Sequence, residues 1–143
     1  MNAILKSTAS WGMLFCALAA ISPAFPWSYQ FSYAIASLQT GSPQQIMIPV
    51  SAYTDWHGAA ITVVSGVGLL FLVATGSLRP APWWRTLGIA IVGTAIIAIT
   101  IIYSTNHWNN FPMQEFGGLM AIISATGLLF VACLDVRQSL KGD

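Results

Sequence analysis

The sequence predicts an all-α membrane protein of four transmembrane helices, arranged as two tandem parallel-repeat hairpins. Both termini face the cytoplasm, and a long outer loop carries a short interfacial helix. Three observations predict it: uncharged runs long enough to cross a bilayer, cations confined to alternate connections, and an internal repeat. Charged residues are 6% of the 143 and apolar residues 56%, whereas soluble domains carry about 25% charge. A soluble fold of this size could not keep so uncharged a surface in solution. The length suits one domain, 1–143, with half-repeats at about 1–78 and 79–143.

The nine charges are Lys6, Asp55, Arg79, Arg85, Glu115, Asp135, Arg137, Lys141 and Asp143, and they leave uncharged runs of 48, 23, 29 and 19 residues. A helix rises 1.5 Å per residue, so roughly 20 residues cover a hydrocarbon core of about 30 Å. Each run accommodates one span, near 8–25, 57–78, 86–104 and 116–134. All five cations flank these spans on one side, and the opposite connections 26–56 and 105–115 hold no Lys or Arg. The positive-inside rule makes that side cytoplasmic and predicts a multi-pass protein of the plasma (inner) membrane.

Taken in order, the first span opens after Lys6 and runs through Trp11–Ile21. Ser22 and Ala24 would also suit a cleaved leader, but the segment is read as a span. Pro23 and Pro26 end it. Trp27, Tyr29, Phe31 and Tyr33 then cluster as an interfacial aromatic belt does. Phe31, Ala34, Ile35 and Leu38 have helical spacing and predict a short surface helix, stopped by Gly41-Ser-Pro43. Residues 44–53 return to the membrane as extended chain, and Trp83 and Trp84 mark the cytoplasmic interface.

The repeat aligns 58–71 with 117–130, offset by 59 residues and without a gap. Identities fall at Gly58/Gly117, Ser65/Ser124, Gly68/Gly127, Leu69/Leu128, Leu70/Leu129 and Phe71/Phe130. Small residues recur every fourth position at Gly58, Thr62, Gly66 and at Gly117, Ala121, Ala125. Such stripes let helix backbones approach closely in lipid, where no hydrophobic force drives helices together. Gly12, Cys16, Ala20 and Ala90, Thr94, Ala98 offer similar stripes on the first and third helices. A tight bundle follows, with the second and fourth helices near its centre and Leu at Gly66 or Ala125 expected to loosen it.

Chemistry-bearing residues are few. Outside the cytoplasmic rim the titratable groups are Asp55, His57, His107 and Glu115, all on the outer side. Asp55 and Glu115 occupy matching helix starts, where a carboxylate complements the macrodipole by about 0.3–1 kcal/mol. Brought together, the four would suit a metal ion such as Zn²⁺. His57 alone, entering the membrane, could ligate a haem or chlorophyll-type pigment, although near the interface it can simply be hydrated. The helix interiors hold no charge, only hydroxyls such as Ser65, Ser124, Thr62, Thr94, Thr100 and Thr126, which can bond their own backbone. Cys16 and Cys133 lie within spans as small hydrophobes rather than a disulfide framework. No nucleophile and base form a recognisable pair, so an enzyme is not expected, and no basic patch invites nucleic acid.

The resulting expectation is a small accessory or assembly subunit, held in the lipid bilayer against other membrane-protein subunits of an energy-converting (photosynthetic or respiratory) complex. The alternatives are a small homo-oligomeric channel or transporter, and haem, pigment or metal binding at the outer face through His57 and His107.

Overall fold

The computed structural model describes residues 8–34, 44–78, 82–106 and 116–140. Helix α1 spans Thr8–Ile21 and continues through a 3₁₀ turn, Ser22–Ala24. Strands β1 (Pro26–Ala34) and β2 (Gln44–Ser51) follow, then a second 3₁₀ turn, Ala52–Thr54. Helices α2 (Trp56–Thr75), α3 (Trp83–Asn106) and α4 (Phe116–Ser139) complete the chain. The last three are 20, 24 and 24 residues long and apolar enough to cross a membrane. This is therefore a mainly helical membrane protein. The 14 residues of α1 and its 3₁₀ extension form a shorter apolar rod.

The helices form a square bundle. α1 packs on α2 and α4, and α3 packs on the same two. This corrects the expectation that α2 and α4 sit at the centre, since each helix occupies one corner. Each turns a stripe of period near 3.5 inward, the spacing that keeps one seam of a helix facing its neighbours. On α2 that stripe is Gly58, Ile61, Ser65, Gly68 and Leu72, and on α4 it is Gly117, Ala121, Ser124, Leu128 and Val131. On α3 it is Ile89, Gly93, Ile96, Thr100 and Tyr103, so the proposed face Ala90, Thr94, Ala98 is displaced, with Thr94 and Ala98 exposed. On α1 the stripe of Gly12 and Cys16 is buried as expected, with Ala19 rather than Ala20 completing it.

Glycines sit where side chains from neighbouring helices press in. A Cβ at Gly68 would meet Val92 at 3.0 Å and Cys16 Sγ at 3.2 Å, and one at Gly93 would meet the Ala125 carbonyl oxygen at 3.1 Å. Gly66 is different: nothing lies within 4 Å of where its Cβ would be. The inward face of α2 passes through Ser65, and Gly66 is turned away from it. Ala121 and Ala125, by contrast, are fully buried.

The second correction concerns the outer loop. In place of a surface helix, β1 and β2 pair antiparallel, with Tyr29 opposite Pro49, Phe31 opposite Met47 and Tyr33 opposite Gln45. A register shift between Pro26 and Ser28 bulges the ribbon at Trp27. The cause is legible in the alternation Trp27-Ser28-Tyr29-Gln30-Phe31-Ser32-Tyr33. That is a two-residue period rich in aromatic residues, which favours a strand over a helix. The extended return of 44–53 is observed over Gln44–Ser51. Ile35, Leu38 and Gly41–Pro43 lie outside the described residues.

Candidate functional site

Two polar constellations stand at opposite ends of the bundle. The first joins all four helices. Arg85, in the first turn of α3, and Asp135, in the last turns of α4, are 3% and 0% exposed. Arg85 Nε donates to Asp135 Oδ2 at 3.1 Å, and Nη2 lies 3.0 Å from both carboxylate oxygens. Nη1 donates to the carbonyls of Thr75 and Leu78 at 3.3 and 3.2 Å. Thr75 ends α2 and Leu78 lies in the turn just after it, where last-turn carbonyls lack intrahelical partners and the macrodipole is negative. From α1, the Thr8 hydroxyl donates to Asp135 Oδ1 at 2.5 Å and lies 3.5 Å from Arg85 Nη2.

The physics of this cluster is compensation. A lone buried charge costs several kcal/mol, and pairing offsets that only when geometry is good and the remaining lone pairs and protons are satisfied. Here the guanidinium fork meets the carboxylate along two N–H vectors, the arrangement that makes such pairs strong. Its other donors fall on carbonyls and a hydroxyl. The expectation of helix interiors without buried charge is therefore corrected at this end. Arg85 and Asp135 are not solvated rim groups but the polar core of the bundle's end. A signal for it exists in the sequence: Asp135 extends the inward series Ser124, Leu128, Val131, and Arg85 precedes Ile89 by four residues. Drawing the spans one turn longer puts both charges on inward faces.

The second constellation surrounds His57. Asp55 is the N-cap of α2, with φ −124° and ψ 166°, but its side chain makes no capping hydrogen bond. Instead its Oδ2 lies 4.0 Å from His57 Nδ1. The imidazole is 3% exposed, which corrects the picture of a hydrated interfacial histidine. It stacks on Trp56 (centroids 4.0 Å apart) and meets Tyr103 edge-on at 5.4 Å. Tyr103 meets Trp27 edge-on at 5.1 Å, and Trp27 Nε1 donates to the Ser22 carbonyl at 2.8 Å. The chain of rings thus runs from the first turn of α2 through α3 to the bulge of β1.

Two glycines make this end possible. A Cβ at Gly117 would strike the Trp27 indole and come within 2.8 Å of the Ser22 carbonyl oxygen. A Cβ at Gly58 would lie 2.6 Å from the backbone of Ala52. Each glycine of the aligned pair therefore receives a 3₁₀ turn against the start of its helix. Thr62, predicted as a packing residue, is half-buried and donates to the Ala20 carbonyl at 3.2 Å, with Tyr53 Oη 2.8 Å away. It stitches α2 to α1 rather than merely leaving room.

Of the proposed metal set, the structure brings Asp55 and His57 together; His107 and Glu115 lie outside the described residues. Among the described residues no three His, Cys, Asp or Glu side chains converge. The intramembrane hydroxyls of Thr75, Thr100, Ser124 and Thr126 bond the carbonyl four residues back. Ser65 is buried with its hydroxyl unpartnered among the described residues. Compared with protein-family models, curated proteins and solved structures, the chain matches none.

Proposed function

We propose that this chain is a non-catalytic accessory or assembly subunit that packs against larger partners in a membrane complex. The observation that supports the reading is where its polar and apolar groups go. The bundle axis is filled by Ile61, Ile96, Ala125 and Leu128, all fully buried, and most inward hydroxyls are consumed by their own helix. Coupled transport usually draws on ionisable groups or broken helices near midplane, and the described inward positions there are apolar residues and hydroxyls. What remains for recognition is exterior: apolar outer faces such as Val63, Val67, Leu70 and Val73 on α2, and the hairpin at the His57 end. A two-stranded ribbon is marginally stable in isolation and offers edges to a partner.

In this reading all four helices cross the plasma (inner) membrane, the two halves are tandem hairpins, and the Arg85 end faces the cytoplasm. Thr8 and Asp135 meet at that end, and Arg137 is exposed beside it. Native mass spectrometry of gently solubilised, tagged protein tests the function. A fixed-stoichiometry assembly with other membrane proteins is expected. A ring of this chain alone that conducts ions in planar bilayers would establish the channel reading instead, and a visible absorption band on the pure protein the pigment one.

A further inference from the structure

The α1–α4 seam is not packed along its whole length. Toward the Arg85 end it opens into a groove of about 260 Å³, lined by Thr8, Trp11, Phe15, Phe130, Val131 and Leu134. One wall is the stacked pair Trp11 and Phe15, with centroids 6.3 Å apart. The inner end is closed where Phe15 lies over Gly127, whose Cβ would sit 2.5 Å from the ring. Protein interiors rarely leave such space empty, because lining atoms lose their dispersion partners. In a membrane span the space opens onto acyl chains rather than water. Its lining is almost wholly hydrocarbon, and Phe130 is exposed at its lip.

A cation follows the groove's last lining residue, Leu134, by about one helical turn. Leu134 and Arg137 are three residues apart on α4, hence neighbours on one helix face. Side chains lean toward a helix's N-terminus, so Arg137 starts out over the Leu134 turn. Arg137 is exposed, whereas Arg85, the other described arginine at this end, is consumed by Asp135. An arginine at a helix end reaches along its aliphatic stem to place its charge at headgroup depth, and its fork suits phosphate oxygens.

We propose that the α1–α4 groove is a phospholipid site: one acyl chain lies against Trp11, Phe15, Phe130 and Leu134, and an anionic headgroup is held by Arg137. The site stands apart from the accessory-subunit reading, since it requires only that α1 and α4 face lipid. It makes the protein selective for acidic lipids in the leaflet at the Arg137 end.

The test is native mass spectrometry of the full chain in mild detergent, titrated with an equimolar mixture of phosphatidylglycerol and phosphatidylcholine. The wild type is expected to retain one phosphatidylglycerol per chain, at least tenfold over phosphatidylcholine. Arg137→Gln, at an exposed position, should abolish the preference while leaving weak binding of either lipid. Leu134→Trp, which fills the groove, should reduce retention of both about tenfold, with melting curves confirming that the variant is folded. Equal retention of the two lipids by the wild type, or unchanged retention in folded Arg137→Gln, overturns the proposal. So does full competition by inorganic phosphate alone, which would make the site an anion site without a chain. A protein partner cross-linking at Trp11 in place of lipid overturns it as well.

Discussion

At the scale of the residue, two aligned positions of the sequence behave oppositely. Gly66 and Ala125 are aligned in the repeat, yet Ala125 is 0% exposed and Gly66 has open space where a side chain would be. Ala125→Leu must force methylenes into a filled seam against Gly93, a cost of about 1–3 kcal/mol. Gly66→Ala should instead stabilise by about 0.5–1 kcal/mol, because an interior helical glycine is replaced by the best helix former. Melting temperatures in detergent should therefore fall for the first variant and rise for the second. A fall for both would mean that the α2 face is wrongly placed. Gly117→Ala belongs with the destabilising class, since its new methyl meets the indole of Trp27. Small residues were legible in the sequence, but which of them face a neighbour was not. A four-residue stripe and a heptad stripe share positions for only a turn or two before they diverge around the helix.

At the scale of the element, the end of the bundle is organised by one ion pair and the outer loop by one hairpin. Arg85→Met leaves Asp135 buried without its partner, a loss of about 3–5 kcal/mol. The double variant Arg85→Met, Asp135→Leu removes both charges and should recover most of that stability, because apolar replacements of a buried pair are often neutral or better. Thermal or denaturant unfolding of the four species closes the cycle. If the double variant is as unstable as the single one, the pair acts through something besides charge compensation, the carbonyls of Thr75 and Leu78 being the first place to look. For the hairpin, amide exchange should show alternate protected positions in Pro26–Ala34 and Gln44–Ser51, the ladder pattern of a two-stranded ribbon. Continuous protection through that loop would restore the helix. The strand was readable in Trp27, Tyr29, Phe31 and Tyr33. Overlapping apolar positions at three- and four-residue spacing competed with it, and short apolar runs carry both periods.

At the scale of the whole molecule, the contacts at each end set how the helices alternate. Thr8, Thr75, Leu78, Arg85 and Asp135 gather at one end. Trp27, His57 and Tyr103 gather at the other. The proposed orientation, with the Arg85 end cytoplasmic, makes a definite prediction: a cysteine introduced at Leu140 should react with impermeant maleimide only after the membrane is opened. One at the exposed Thr54 should react in intact cells. Reversal of the two would invert the orientation, and labelling of both from outside would break the bundle's threading. Gly58 and Gly117 each receive a 3₁₀ turn and Ser65 and Ser124 are both buried, whereas Gly66 and Ala125 differ.

Composition and charge spacing alone determined that this is a lipid-embedded helical protein, because hydrocarbon admits only long apolar segments whose backbone is satisfied internally. They also located three of the helices to within a few residues. The pairing of Arg85 with Asp135, the enclosure of His57 by Trp56 and Tyr103, and the inward face of each helix were decided only in three dimensions. Partners 50 residues apart are chosen by how four rods rotate against one another. That rotation depends on the sum of many small packing contacts, which no single stretch of sequence contains.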